Sequence, residues 1–313
     1  MRYAVKKTLQ FFLTLFLVSL IVFLLFSVIP GDPARIMLGL NATDSQVQAL
    51  RAELGLDVSL PIRYFHWLTN LIQGNPGMSV RYGEPVAALI GERLPVTLTL
   101  GGFALLITIF LSIPIGMVCA KKPGGIVDRI LSVLIHILMS LPAFVTGLLL
   151  TLFFGFILSV FVIGGFIPFS ESPIGFFQSL FLPSFAVALP KIAMTANFVR
   201  DSILSEKDKE YVRTAKSHGL TDQKVMRRHI FPNALLPTLT ALSITAGEIL
   251  GGSIVVEQIF NLPGLSRLLL QAVSGRDFPL VQGIVLYLAA VVILLHFAMD
   301  ILYSRIDPRV RLE

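Results

Sequence analysis

Residues 210–237 read EYVRTAKSHGLTDQKVMRRHIFPNALLP, and this polar stretch lies between two long apolar runs. An S-x-x-D pattern that begins at Ser205 predicts a helix start, and Gly219 predicts the end of that helix. Thr221 predicts the N-cap of a second helix, which Pro232 is expected to break. The stretch is therefore predicted to fold as a helix, a glycine turn and a second helix.

The composition of the whole chain is typical of a membrane protein. Hydrophobic residues make up 55% of the 313 positions and charged residues 14%, which is unlike an ordinary soluble domain. Apolar runs of about 20 residues, the length that crosses a bilayer, predict six spans with both termini on one side. The approximate predicted spans are Leu9–Ile29, Val96–Ala120, Ile130–Leu158, Leu180–Val199, Leu236–Val256 and Leu280–Tyr303.

The basic residues predict which side of the membrane is cytoplasmic. Most of the 25 Lys and Arg residues lie near the two termini, between the second and third spans, and in the loop 200–235. The positive-inside rule assigns that side to the cytoplasm, so both termini are predicted to be cytoplasmic. This orientation accounts for the net charge of +6 without a nucleic-acid partner. The first apolar run is too long for a signal-peptide core and is interpreted as a retained helix.

The chain is predicted to have three parts. Residues 1–30 form an N-terminal segment with the first span, and residues 31–94 form an extracytoplasmic insert. Residues 95–313 form a core of five helices, and this core contains the loop 200–235.

The insert is predicted to consist of amphipathic helices. Thr43 and Gln46 form a capping box at the start of one helix, which Gly55 ends. A second helix is predicted to start near Pro61, and a third short helix follows Pro85. Two roles remain open for the insert: a cap at the membrane interface, or a contact surface for a substrate-binding protein.

Motifs for intrinsic catalysis are missing from the sequence. It contains no G-x-x-x-x-G-K-[ST] phosphate loop and no Ser/His/Asp or H-E-x-x-H arrangement. The single cysteine, Cys119, provides neither a disulfide nor a Cys metal site. We therefore predict a chain without catalytic residues, metal ligands or a cofactor of its own, so that energy from ATP must come from a partner.

Ionisable groups within a span are costly and indicate a pathway or a buried partner. Glu248 lies in the middle of the fifth predicted span, and the spacing of Gly247 and Gly251 allows another helix to approach closely. These three residues and Asn197 are candidates for lining a pathway. A structural hydrogen bond at a helix crossing is the alternative for Glu248, and snorkelling or pairing with a neighbouring helix is expected for Lys191.

The polar stretch resembles a signature of ABC importer permeases. That signature reads Glu-Ala-Ala, three residues, Gly, nine residues, then Ile-x-Leu-Pro, and it docks on the ATPase subunit. Aligning Gly219 matches Ala215 with the last alanine and Pro232 with the final proline. Arg213 stands where the motif has its glutamate, and Glu210 is the nearest substitute.

Six other segments resemble the dipeptide, oligopeptide and nickel branch of that family. They are PGDP from Pro30, LGLD from Leu54, RLPVTLTL from Arg93, GGSIVVEQIFNLPGLSRLL from Gly251, RDFPLVQG from Arg276 and DPRVR from Asp307. The resemblance implies an all-α transmembrane fold, that of a six-span type I ABC importer permease with an extracytoplasmic helical insert.

The resemblance also implies partners and site residues. The chain would pair with a second homologous permease, two ATPase subunits that bind ATP and Mg, an extracytoplasmic binding protein and lipid of the bacterial inner membrane. The substrate would be a short peptide, nickel or a metallophore, or another small solute. An ATP-independent secondary transporter and a membrane-bound scaffold are the alternatives from other classes. The implied coupling residues are Glu210, Tyr211, Val212, Arg213, Ala215, Gly219, Arg228 and Pro232.

Overall fold

The structure of the chain is a computed structural model that describes residues 2–28, 33–39, 42–53, 55–162 and 164–306. The PGDP segment before Pro33, the first residue of LGLD and the tail from Asp307 lie outside the described residues. The described chain is built almost entirely of helices. This confirms the predicted all-α class.

The helices are numbered in chain order. Those of the first part are α1 (Arg2–Val28), α2 (Pro33–Leu38), α3 (Asp44–Glu53), α4 (Leu60–Ile72) and α5 (Val86–Lys121). Those of the middle part are α6 (Ile126–Ser140), α7 (Ala143–Leu150), α8 (Pro173–Lys207) and α9 (Glu210–Ser217). The last are α10 (Asp222–Val225), α11 (Phe231–Ile259), α12 (Leu265–Ser274) and α13 (Phe278–Ile306). Two π-helical segments, Thr151–Ile157 and Met226–Ile230, continue α7 and join α10 to α11.

Five helices in the described chain are long and apolar enough to cross a membrane. The predicted third span is different, because α6 and the helix that follows it are bent by 105°. Leu141 has an extended backbone, with φ −89° and ψ 122°. Pro142 explains this conformation, since a proline disfavours the helical region for the residue before it. The predicted third span is therefore bent at this point and is not one straight helix, and six spans result if the bent pair counts as one.

The described chain forms two compact units. One contains the described residues up to Val96 together with Pro263–Leu294, and the other contains Thr97–Leu262 and the described residues from Leu295 onward. This division differs from the three predicted parts, whose boundaries stay a prediction. The first unit has a core of buried apolar side chains from α5, α12 and α13, which includes Val86, Ile90, Leu265, Leu280 and Ile284.

The insert belongs to the first unit and follows the predicted pattern in part. The backbone N–H of Thr43 donates to Gln46 Oε1 at 3.0 Å, and that of Gln46 donates to Thr43 Oγ1 at 3.4 Å, which confirms the capping box. Gly55 adopts a left-handed φ of +62° after α3. The short helix predicted after Pro85 was wrong, because α5 begins there and continues for 36 residues.

In the second unit, α8 is the central helix, and α6, α7 and α11 pack around it. Glycines allow α5 to approach this group closely. A Cβ atom added at Gly116 would lie 2.7 Å from both the carbonyl oxygen of Ala196 and the side chain of Val199. A Cβ atom at Gly101 would lie 2.9 Å from a methyl group of Leu250. The packing of α5 therefore depends on glycine at these positions.

We expect Gly116→Ala to destabilise the protein by about 1–3 kcal/mol, because overpacking forces side chains and backbone to shift. Gly102→Ala is the matched control, since a Cβ atom at Gly102 would meet nothing within 4 Å. The midpoints of thermal unfolding of both variants in detergent test this expectation. Equal midpoints for the two variants would contradict the close packing at Gly116.

Candidate functional site

The polar stretch folds as two helical pieces, but the first begins later than predicted. Helix α8 extends to Lys207, so Ser205 lies inside it and the S-x-x-D helix start was wrong. Helix α9 begins at Glu210, and Lys209 occupies its N-cap without a side-chain hydrogen bond. Gly219 follows with a φ of +78°, a conformation that L residues rarely adopt. The glycine turn is therefore confirmed.

The second piece does not end at Pro232. Thr221 has the extended backbone of an N-cap, although its side chain makes no capping bond. Helix α10, the π segment and α11 then form one continuous helix over Asp222–Ile259. In the π segment the N–H of Phe231 donates to the carbonyl of Met226, five residues earlier. This wider turn explains why the ring of Pro232, which would clash with a carbonyl four residues earlier in an α-helix, is tolerated.

A buried apolar cluster holds this segment against the membrane helices. We name it the coupling cluster, and its buried members are Ala120, Val199, Ile203, Val212, Ala215, Val225, Ile230 and Ala234. Two of the predicted coupling residues, Val212 and Ala215, belong to it and face the inside of the chain. Glu210, Arg213 and Arg228 are exposed instead. The cluster therefore fixes α9 in place, while the charged positions meet solvent.

A buried carboxylate joins α8 to α9. Glu206 accepts hydrogen bonds from the phenol of Tyr211, at 2.5 Å, and from the amine of Lys209. Burial, together with this hydrogen bond to Glu206, raises the pKa of Tyr211 to about 12. The phenol therefore stays protonated and remains a donor through the physiological pH range. Glu206 was not predicted from the sequence, where Glu210, one turn later, was the candidate carboxylate.

An ion pair joins α8 to the first turn of α6. The guanidinium of Arg200 donates from Nε to Asp128 Oδ1 at 2.8 Å and from Nη2 to Asp128 Oδ2 at 2.9 Å. The carboxylate also accepts the backbone N–H of Gly124 at 2.8 Å, and its side chain is only 4% exposed. This pair was not predicted from the sequence. The sequence does contain one signal for it: Asp128 and Arg200 carry opposite charges and lie at the ends of two predicted spans on the same side of the membrane.

We expect Arg200→Met to destabilise the protein by about 3–5 kcal/mol, because it leaves the buried carboxylate of Asp128 without its cation. Adding Asp128→Leu to that variant should restore most of the stability, since no charge is then left unpaired. Asp201→Asn is the control, because Asp201 is an exposed partner of the same guanidinium. Thermal unfolding of the wild type, Arg200→Met, the double variant and Asp201→Asn tests this expectation. A double variant that is as unstable as Arg200→Met would contradict it.

A second ion pair lies in the middle of two membrane helices. The amine of Lys191, on α8, donates to Glu248 Oε2, on α11, at 2.6 Å. Pairing with a neighbouring helix is thus confirmed for Lys191. Gly251 lies one turn beyond Glu248, and a Cβ atom added there would meet nothing within 4 Å. Among the described residues, therefore, no helix approaches Gly251 closely. The side-chain amide of Asn197 donates a 3.2 Å hydrogen bond to Asp201.

A third polar contact within the membrane helices is fully shielded. Glu257, which the sequence analysis did not single out, has no exposed surface and accepts a 2.7 Å hydrogen bond from the hydroxyl of Thr97. Over the part of the chain that the structure describes, no three His, Cys, Asp or Glu side chains are grouped as a metal site would require. Glu257 therefore serves as a contact between α11 and α5, whereas Lys191 and Glu248 form an accessible charged pair.

Three features together define a membrane-embedded transport subunit. The helices are long enough to cross a membrane, two of them carry an accessible ion pair, and a polar segment is fixed to their ends. A family model described as the inner membrane component of binding-protein-dependent transport systems matches residues 112–312. The model of the N-terminal part of such membrane components matches residues 1–101. The chain belongs to this family of inner membrane transport components.

Similar proteins cover almost the full length of the chain. A protein of Brucella abortus (strain 2308), whose name assigns it to a peptide transport system as a permease, is 38% identical over 98% of both chains. The glutathione transport system permease protein of Pectobacterium atrosepticum is 35% identical over 99% of both chains. Both are similar to this chain from end to end, including the insert.

Solved structures of ABC transporters share the fold. The inward-facing MetNI methionine ABC transporter aligns with a TM-score of 0.56 and 18% identity, over 70% of this chain and 96% of that chain. An amino acid ABC transporter aligns with a TM-score of 0.51 and 23% identity, over 71% of this chain and 94% of that chain. These likenesses confirm the predicted type I importer permease fold.

Proposed function

We propose that this chain is one of two permease subunits of an ATP-driven importer of short peptides and forms half of its pathway. The observation that carries the proposal is α9, a polar helix held by the coupling cluster against the ends of α8 and α11. A transport subunit without a phosphate loop needs such a surface to receive force from an ATPase. The names of the relatives, which refer to peptide and glutathione transport, support a peptide substrate.

The partners follow from this role. A second homologous permease completes the pathway, two ATPase subunits bind ATP and Mg, and an extracytoplasmic binding protein delivers the substrate. The exposed surface around α9 is rich in cations, which include Arg213, Lys216, Lys224, Arg227 and Arg228. Such a surface fits an ATPase that presents acidic groups to these cations and a basic group to Glu210, which is also exposed. The orientation with α9 and both termini in the cytoplasm agrees with the positive-inside rule.

Force on α9 reaches the membrane through contacts described above. The coupling cluster joins α9 to α8 and α11, and Glu206 ties the end of α8 to Tyr211. The Asp128 and Arg200 pair then connects α8 to α6. Movement of α9 therefore tilts several helices together, which is a rigid-body route to alternating access.

Purification of the tagged chain from its own membrane tests the role in an importer. We expect an ATPase and a second permease to co-purify with the chain, and deletion of the chain to abolish uptake of a labelled dipeptide. A chain that purifies without an ATPase would contradict ATP-driven import. Normal uptake of dipeptides and glutathione after deletion would contradict the peptide substrate.

We expect Gly219→Val to uncouple the transporter without removing it from the membrane. No atom lies within 4 Å of a Cβ atom added there, so the strain comes from the backbone φ of +78° alone. Gly219→Asn is the control, because Asn tolerates this conformation better than a β-branched residue. Substrate-stimulated ATP hydrolysis should fall severalfold in the Val variant and less in the Asn variant. Wild-type hydrolysis by the Val variant would contradict the coupling role of α9.

We expect Glu210→Lys to weaken the contact with the ATPase in a salt-dependent way, because exposed charges are screened by salt. Asp222→Lys should have a smaller effect, since Asp222 already pairs with Lys216 of this chain at 2.8 Å. The amount of ATPase retained at low and high salt measures both effects. Equal and small losses for the two variants would assign the docking to apolar contacts.

A further inference from the structure

The pair of Lys191 and Glu248 lies in the middle of two membrane helices and yet remains accessible. Its side chains are 22% and 43% exposed, whereas the Asp128 side chain is 4% exposed and Glu257 is fully buried. Hydrocarbon does not solvate charged groups, so we expect an accessible pair in the middle of two spans to face the interior of the assembled transporter or a water-filled cavity.

Open space lies beside the Glu248 carboxylate. Gly251 and Gly252 are three and four residues further along α11, the positions that share a helix face with Glu248. A Cβ atom added at either glycine would meet nothing within 4 Å. The two glycines therefore leave room for a ligand to reach the carboxylate along the helix surface.

Exposed apolar side chains flank the pair on both helices. Met194 and Phe198 lie three and seven residues after Lys191 on α8, and Ile244 and Val255 lie on the same face of α11 as Glu248. Flexible and apolar side chains, methionine in particular, adapt to partners of varied shape. The surface thus combines one cation and one anion with apolar contacts of low selectivity.

We propose that Lys191 and Glu248 bind the two charged ends of a short peptide during translocation, a proposal that rests on the peptide import proposed above. The peptide carboxylate replaces Glu248 on the amine of Lys191, and the peptide ammonium replaces Lys191 on the carboxylate of Glu248. An extended dipeptide spans about 7 Å, a distance that the two side chains bracket once they separate. Every charge stays paired before and after this exchange, so no isolated charge is left in the membrane.

Uptake of blocked peptides tests the exchange. Three labelled peptides are compared: dialanine, its C-terminal amide and its N-acetyl form. Each is supplied to cells that carry the wild-type chain, the Lys191→Met variant or the Glu248→Gln variant. Lys191→Met should lower dialanine uptake about tenfold, the loss expected for one charge-assisted contact. Uptake of the amide should fall less, because the amide has no carboxylate to pair with Lys191. Glu248→Gln should lower dialanine uptake and affect the acetyl form less. Uniform losses for all three peptides in both variants would overturn the proposal.

The double variant Lys191→Met with Glu248→Met separates binding from packing, because removing both charges leaves neither unpaired. Loss of uptake with an unchanged amount of assembled complex supports the proposal. Wild-type uptake, or loss of the complex itself, would overturn it and assign the pair to structure. Glu171→Gln, which removes an exposed charge outside the predicted spans and outside the sites described above, is the control and should transport normally. Absence of dialanine uptake by the wild-type chain would overturn the peptide assignment as well.

Discussion

The ion pair between Asp128 and Arg200 is the contact on which the second unit depends. It lies where α6 begins and α8 approaches its end, and each group satisfies the other in two hydrogen bonds. Without its partner, either charge would have to be solvated where little water is available. The pair therefore fixes the end of the helix from which α9 continues, and the position of the polar segment follows from it.

Helix α8 carries three kinds of polar contact at different depths. Lys191 lies near its centre, Arg200 lies about two and a half turns later, and Glu206 lies near its end. The two later groups are engaged in contacts that hold helices together, while Lys191 is in an accessible pair. A single continuous helix thus links a candidate ligand contact in the membrane to the segment that is proposed to receive force.

Much of the fold and part of the candidate site could be predicted from the sequence. Long apolar runs predicted the membrane helices, Thr43 and Gln46 predicted a capping box, and Gly219 predicted a turn, because each signal is local. The bend at Pro142 was missed because the apolar run continues through it, so that hydropathy alone gives one span. Partners such as Asp128 and Arg200 are 72 residues apart in sequence, and no local pattern pairs them.

The π segment explains a spacing in the sequence that an ordinary helix does not. Val225 and Ile230 are both buried in the coupling cluster, yet five residues of α-helix would separate them by about 140° around the axis. The additional residue in the π turn brings both side chains to one face. Helical phase therefore changes within residues 226–230, and a single-residue deletion there would rotate α10 relative to α11 rather than merely shorten the helix. The length of this segment, more than its chemistry, sets which side chains point inward on either side of it.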